Sequence, residues 1–243
     1  MKKLSVLLVA AVLTVSCLMP AAAQAIEVTG DAYVGVYSNY LWRGYNLSQD
    51  DAFVVQPGAD VSVGGFTLSW WGNMSENSGD MNEVDLTLDY SKDITDLVSV
   101  SVGNILYDVD GLSDTNELYL GVSLNTLLSP SLTVYYDYQE FDGNVFTVLS
   151  VGHTIELADK LALNLGAAGS YFAMDKEFTG TGSDESFLHN GELSAGVDYA
   201  INDQLSASAS LLYSFSLSDD AEDIGGLNSD AEAAAGVSVT LAF

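Results

Sequence analysis

The alternation of hydrophobic and polar positions is clearest in the last segment of the chain. Between Glu232 and Phe243, every second residue is apolar, and the residues between them are small or polar. The apolar set is Ala233, Ala235, Val237, Val239, Leu241 and Phe243. Alternate side chains of a strand point to opposite faces, so one face of this segment is wholly apolar. Such a strand avoids aggregation if it pairs on both edges and turns that face to lipid, which predicts a closed membrane barrel.

The same period of two recurs along the whole mature chain and predicts twelve strands. They are placed at Glu27 to Trp42, Ala52 to Val63, Phe66 to Met74, Glu83 to Ser91, Leu97 to Tyr107, Glu117 to Asn125, Leu132 to Gln139, Val145 to Leu157, Leu161 to Met174, Phe187 to Ile201, Leu205 to Leu217 and Ala231 to Phe243. We therefore predict an all-β fold, a transmembrane, antiparallel, up-and-down β-barrel.

The connections between these segments support the barrel. Short turns alternate with longer polar loops, as in membrane barrels with short periplasmic turns, longer outer loops and an even number of strands. Both termini are then expected on the periplasmic side. The alternation is interrupted at Pro57 and around Gly103 and Asn104, where we expect a bulge or a shorter strand. A barrel of ten strands is the alternative.

Aromatic residues collect near strand ends on the face assigned to lipid. The predicted outer girdle contains Tyr40, Trp42, Tyr138, Tyr171, Tyr213 and Phe215. The predicted inner girdle contains Phe66, Tyr90, Tyr199 and Phe243. Two belts of aromatic residues at the two membrane interfaces are typical of outer-membrane barrels.

The N-terminus indicates export. Lys2 and Lys3 precede an apolar run from Leu4 to Met19, and Ala23-Gln24-Ala25 is a small-residue cleavage site. This pattern predicts a cleaved signal peptide over residues 1–25 and a barrel over residues 26–243. The single cysteine, Cys17, lies in the signal peptide, so disulfides and cysteine metal sites are excluded from the mature chain. The predicted location is the bacterial outer membrane.

Charge changes the picture of the lumen. The chain is 48% hydrophobic, yet 34 acidic residues against 6 basic ones give a net charge of −28, which excludes nucleic acid as a partner. The strand faces opposite the lipid side carry many acids and one cation, Arg43. The predicted pore-lining acids are Asp31, Asp60, Glu83, Asp85, Asp89, Glu117, Asp137, Glu156, Glu192, Asp198 and Glu232. Burying so many unpaired carboxylates is too costly, so we expect a wet, negative lumen.

Motifs for chemistry are weak. His153 and His189 lack an obvious orienting partner, so we predict no catalytic residues and no enzyme. Asp108, Asp110 and Asp114 provide oxygens, but their spacing fails the calcium-loop pattern, and a solvated acidic loop is the simpler interpretation. We predict no metal site and no cofactor.

Four short motifs carry a resemblance to a known family. They are Ser38-Asn39-Tyr40-Leu41-Trp42-Arg43-Gly44, Leu47-Ser48-Gln49, Gln56-Pro57-Gly58-Ala59-Asp60 and Trp70-Trp71-Gly72-Asn73. In these motifs the chain resembles the TorF family of Gram-negative outer-membrane porins, over about the first third of the mature chain. The segment from Glu83 to Tyr90 is also similar. The resemblance implies an outer-membrane barrel that acts as a porin.

The function predicted from these observations is passive diffusion of small solutes through an acidic lumen that prefers cations. One alternative is a structural or adhesive barrel whose acidic loops bind divalent cations or lipopolysaccharide, and another is a secreted β-sandwich. It is also open whether the acids serve only to solvate the interior. The expected partners are outer-membrane lipid, lipopolysaccharide, and small solutes or cations. The sequence leaves open the solute, the oligomeric state and whether a loop enters the lumen.

Overall fold

A computed structural model describes residues 27–48, 52–76 and 79–243. The predicted signal peptide, residues 1–25, lies outside these ranges and stays a prediction. The strands are β1 (Val28–Tyr37), β2 (Leu41–Trp42), β3 (Tyr45–Asn46), β4 (Val54–Val63), β5 (Phe66–Ser75), β6 (Met81–Asp93), β7 (Val98–Val109), β8 (Thr115–Leu124), β9 (Ser131–Asp137), β10 (Val145–Ala158), β11 (Leu161–Met174), β12 (Glu185–Ala200), β13 (Leu205–Ser216) and β14 (Glu232–Ala242). In the described residues, twelve of these strands form one closed antiparallel barrel, and β2 and β3 form a separate hairpin. The prediction of twelve strands is confirmed, and the alternative of ten is wrong.

The barrel closes where the last strand meets the first. β14 pairs with β1 in a continuous register that places Val239 opposite Val34. The backbone amides of Gly30 and Phe243 each donate to the carbonyl oxygen of the other at 2.9 Å. The start of β1 and the end of β14 therefore lie at one end of the barrel, called here the inner end. This pairing satisfies the backbone hydrogen-bonding groups at the edge of the closing strand. Such pairing is expected for a strand with one wholly apolar face.

The outer face is apolar, as the alternation predicts. Leu120 is 58% exposed, Leu211 61% and Val237 60%, although a large apolar side chain is normally buried in a water-soluble protein. Exposed aromatic residues also occur at the strand ends, with Tyr138 and Tyr171 at the outer end of their strands. An apolar band on the outer face is the arrangement of membrane barrels.

The first strand is shorter than predicted, and its continuation folds inward. β1 ends at Tyr37, and Ser38 continues the contact with β14, donating its amide to Ala235 O at 2.8 Å and accepting from Ala235 N through Oγ at 3.0 Å. The chain enters the lumen as the β2–β3 hairpin, which turns at Arg43 and Gly44 with φ angles of 52° and 87°. Tyr40 is consequently buried and Trp42 lines internal cavities, so placing these two residues in the outer girdle is wrong.

No bulge forms at either predicted place, and the strand that contains Pro57 is instead shorter than predicted, beginning at Val54 and not at Ala52. Asp89 pairs with Gly103 and Leu88 with Asn104 in an unbroken register. The alternation changes there because Asn104 occupies a position on the outer face, where its amide donates to Glu117 O and Tyr138 Oη at 2.9 Å each. β4 likewise keeps one register with β5 on both sides of Pro57. In the part of the chain that the structure describes, register shifts occur instead at Asn73/Met74, Glu156/Ala158 and Gly169/Tyr171.

The outer connections fold over part of the opening. Helices at Lys176–Thr179 and Asp219–Asp223 lie in the loops before β12 and β14. Phe187, Ala221 and Leu227 form a buried cluster, and Tyr45 from β3 packs against it. The last outer loop and the hairpin are therefore held together by apolar contact. Within the three described ranges, no helix is long and apolar enough to cross a membrane.

Candidate functional site

The segment that enters the barrel, residues 38–48, is called here the inserted segment. Its ends are tied to each other, because Tyr40 N donates to Ser48 Oγ at 2.6 Å and Leu47 N donates to Tyr40 O at 2.8 Å. These bonds satisfy backbone polar groups of the inserted segment, which does not pair with β1 or β4. The result is a compact hairpin with Arg43 and Gly44 at its turn.

Arg43 ties the hairpin to the far wall of the barrel. Its Nη1 and Nη2 donate to Glu117 Oε1 and Oε2 at 2.7 and 2.6 Å, a paired geometry with a strong preference for guanidinium and carboxylate. Tyr107 Oη donates to Glu117 Oε2 at 2.9 Å. The two charged side chains are only 13% and 7% exposed, and theirs is the one ion pair recorded in the described residues. The positive charge of Arg43 is therefore neutralised inside the lumen.

Aromatic rings surround the same guanidinium. Its central carbon lies 4.5 Å from the ring centre of Trp42, 4.8 Å from that of Tyr135 and 4.4 Å from that of Phe146. Cations are attracted to the faces of such rings, most strongly where water is excluded. Arg43 is thus held by both charge and ring contacts.

Further hydrogen bonds anchor the inserted segment elsewhere. Tyr40 Oη donates to Glu83 Oε1 at 3.2 Å, and Tyr45 Oη donates to Gly225 O at 2.6 Å. His189 Nε2 donates to Arg43 O at 3.0 Å. The sequence shows no obvious orienting partner for His189, but its side chain is fully buried, with aromatic rings around it. It supports the hairpin turn.

The ionisation of the inserted segment favours these contacts. Burial, followed by the nearby charge of Glu83, raises the pKa of the Tyr40 hydroxyl, and burial raises the pKa of Tyr45 to about 12. Burial by itself lowers the pKa of Arg43, but the hydrogen bonds and charge of Glu117 outweigh it and raise that pKa. Both phenols therefore stay protonated donors, and Arg43 stays charged.

The inserted segment divides the space inside the barrel. An inner cavity of about 530 Å³ is lined by residues that include Tyr33, Asp60 and Asp85. On the outer side, an acidic vestibule of about 530 Å³ contains Glu83 and Asp110 in its lining. An aromatic vestibule of about 370 Å³ is lined mainly by rings and Met174; the rings are those of Trp42, Tyr45, Phe141, Phe146, Phe172 and Phe178. Trp42 borders all three spaces, so the hairpin stands between the two ends of the lumen.

The structure brings many of the predicted pore-lining residues to these cavities. Arg43, Asp60, Asp85 and Glu192 line the inner cavity. Glu83, Glu117 and Asp137 line the acidic vestibule. Asp137 is buried and accepts from Thr115 Oγ1 at 2.6 Å and from the amides of Gln139 and Phe141. The role of all these residues in conduction stays a prediction.

The other predicted residues lie away from the centre. Asp31 pairs with Asp60 across β1 and β4 near the inner end, and Glu156 is exposed at the inner end of β10. Three acids accept hydrogen bonds from neighbouring side chains: Asp89 from Tyr119 Oη at 2.5 Å, Asp198 from Asn164 Nδ2 at 2.7 Å, and Glu232 from Asn46 Nδ2 at 3.3 Å. These positions are not brought together into one cluster with the central acids.

Sequence reasoning missed the aromatic part of the site. Tyr107, Tyr135 and Phe146 occupy inward positions that a simple polar lumen would not contain. One signal was present, since the loss of alternation after Gly103 reflects Ile105 and Tyr107 pointing inward to the cavity. Among the described residues, no group of three or more His, Cys, Asp or Glu side chains could hold a metal ion.

Solved structures of outer-membrane porins share this architecture. No protein-family model matches the sequence, and no curated protein matches it. Among solved structures, the NanC porin in a rhombohedral crystal form is similar with a TM-score of 0.57 and 13% identity, over 87% of this chain and 98% of that one. The chain has the fold of a porin. The KdgM porin gives 0.57 and 12% identity over 88% and 99% of the two chains.

A second KdgM porin structure, in complex with disordered oligogalacturonate, is similar with a TM-score of 0.56 and 10% identity, over 88% of this chain and 99% of that chain. At such identities the similarity shows the fold alone. It agrees with the outer-membrane barrel implied by the resemblance described above, while the assignment to the TorF family stays a prediction.

Proposed function

We propose that this protein is a channel of the bacterial outer membrane, through which small solutes diffuse passively and cations are preferred. The observation that carries the proposal is the charge of the lumen. Of the described residues that line the three cavities, Arg43 is the only one with a cationic side chain, and Glu117 neutralises it. The remaining charged lining residues are carboxylates, which raise the local concentration of cations.

The central acids favour a water-filled passage. Asp85 Oδ1 is buried and makes no hydrogen bond with other described residues, although it borders the inner cavity. A carboxyl group without a protein partner stays ionised there only if water or a mobile cation reaches it. We infer that solvent and small cations occupy the inner cavity and contact Asp85.

The outside of the barrel supports placement in a membrane. Its exposed apolar side chains, such as Leu120 and Val237, suit contact with outer-membrane lipid, and the acidic outer loops suit contact with lipopolysaccharide through bound divalent cations. The predicted signal peptide, residues 1–25, would direct export. The oligogalacturonate in the KdgM complex is anionic, and we expect the acidic lumen of this chain to disfavour such a solute.

The passage is narrow. Barrels of eight strands are filled by side chains, and those of sixteen or more hold wide channels, so twelve strands with an inserted hairpin give an intermediate opening. Purified protein in a planar lipid bilayer should therefore produce discrete, small current steps in potassium chloride. Protein unfolded before addition is the control. A correctly folded barrel that inserts but carries no current would favour the structural or adhesive alternative.

A further inference from the structure

The contacts of Arg43 define a site that recognises a guanidinium group. We call it the guanidinium socket, formed by Glu117, Tyr107, Tyr135 and Phe146. Glu117 presents both carboxylate oxygens to the guanidinium at 2.6 and 2.7 Å, and the rings of Tyr135 and Phe146 lie 4.8 and 4.4 Å from its central carbon. The combination of a paired carboxylate and ring faces favours guanidinium over a compact ammonium ion.

The socket belongs to the barrel wall and not to the inserted segment. Tyr107, Glu117, Tyr135 and Phe146 lie on the consecutive strands β7, β8, β9 and β10. Tyr107 Oη fixes Glu117 Oε2 at 2.9 Å independently of Arg43. The socket therefore keeps its shape when Arg43 leaves, and its carboxylate is then free to bind another cation.

Arg43, which fills the guanidinium socket in this structure, has a strained backbone conformation. Arg43 has a φ of 52°, a left-handed conformation that disfavours residues other than glycine. The other anchors near the turn are single hydrogen bonds, from His189 Nε2 to Arg43 O at 3.0 Å and from Tyr45 Oη to Gly225 O at 2.6 Å. Only the Arg43 side chain adds both an ion pair and ring contacts to the hold on the described residues of this segment. Releasing the Arg43 side chain removes the main tether of this strained turn.

We propose that the socket is a binding site for solutes that carry a guanidinium group, and that such a solute displaces Arg43 and frees the inserted segment. The proposal rests on the channel function proposed above. The socket is accessible from outside, because Glu117 borders both outer vestibules and Phe146 borders the aromatic one. When the hairpin moves away, the inner cavity joins the vestibules and the conductance rises.

The test compares ethylguanidinium with ethylammonium, each as the chloride salt at equal ionic strength, in planar bilayers. With the parent protein, ethylguanidinium should raise the single-channel conductance at a concentration about tenfold lower than ethylammonium, because only the former reproduces the paired hydrogen bonds. Arg43→Ala should begin at the high conductance. In that variant ethylguanidinium should lower the current, because it refills a vacant socket without moving the hairpin.

Two variants separate the socket from general charge effects. Glu117→Gln should remove the response to ethylguanidinium, whereas Asp137→Asn should keep it, because Asp137 borders the same vestibules without bonding Arg43. Heat-modifiable gel migration confirms that each variant is folded. Equal responses to the two cations in the parent protein, or a response that survives Glu117→Gln, would overturn the proposal.

A binding measurement separates this proposal from the channel function. Calorimetry with ethylguanidinium and detergent-solubilised Arg43→Ala protein requires no current. Binding that disappears in the double variant Arg43→Ala/Glu117→Gln would support the socket even if every protein failed to conduct. In that case only the proposed channel function would be refuted. Absence of binding to Arg43→Ala would refute the socket whatever the conductance.

Discussion

The closing strand offers a quantitative test of membrane contact through Val237→Arg. Val237 lies in the middle of β14, five residues from each end, and is 60% exposed on the outer face. Five residues at about 3.4 Å each, tilted by about 40°, put it about 13 Å from the strand end, near the midplane of an apolar band about 25 Å tall. Its cross-strand neighbours, Val36 and Ala209, offer no hydrogen bond to an arginine. The expected loss of folding free energy is about 2 to 4 kcal/mol.

The assay is equilibrium folding into lipid vesicles in urea, followed by heat-modifiable migration. Leu241→Arg, one residue from the end of β14, should cost less than about 1 kcal/mol because its charge reaches the interface. Ser238→Arg, on the opposite face of the same strand, is the matched control for an added charge and should also be milder than Val237→Arg. Equal stability of the parent and the Val237→Arg protein would refute the assignment of this face to lipid.

Three further predictions concern the loops and the lumen. A protease added to intact cells should cut within 175–184, and cleavage confined to 201–204 would reverse the topology. Gly58→Ala should lower conductance, because the new methyl group displaces the Tyr33 ring that covers Gly58, and truncating that ring to alanine as well should restore conductance. Tyr45→Phe removes a hydrogen bond to the last outer loop, worth about 1 kcal/mol, and should raise the occupancy of the high-conductance state about fivefold; an unchanged occupancy would contradict this.

The barrel was predictable from sequence because each strand repeats the same local requirement. One face contacts an apolar exterior and the other a polar lumen, so the period of two marks every strand separately. The interval from Leu161 to Met174 is predicted and observed with the same bounds, since polar residues end it on both sides, in a short turn before it and a longer loop after it. The closing contact of Phe243 with Gly30 also follows from the need to satisfy a strand edge.

The inserted segment was not predictable in the same way. Tyr40 and Trp42 continue the alternation of β1, and a local pattern cannot distinguish a longer strand from a hairpin that turns inward. The hairpin depends on contacts far apart in sequence, between Arg43 and Glu117 and between Tyr45 and Gly225. Arg43 was expected among the pore-lining residues, but its pairing with Glu117 appears only in three dimensions.

The cation preference of the lumen is the central claim of the account. The acids near the passage act through a field that salt screens, with a Debye length of about 10 Å at 0.1 M and about 3 Å at 1 M. Neutralising three inward acids of β6 together, as Glu83→Gln, Asp85→Asn and Asp89→Asn, removes charge from both sides of the inserted segment. Cation preference should therefore fall with salt and with this triple substitution.

The most direct measurement is the reversal potential of single channels in a potassium chloride gradient with 0.1 M salt on the dilute side. The account predicts a clear shift toward the potassium equilibrium potential, which decreases when all concentrations are raised tenfold and moves toward zero in the triple variant. A reversal potential at zero, or one shifted toward the chloride equilibrium potential, in the parent protein at low salt would contradict the cation preference.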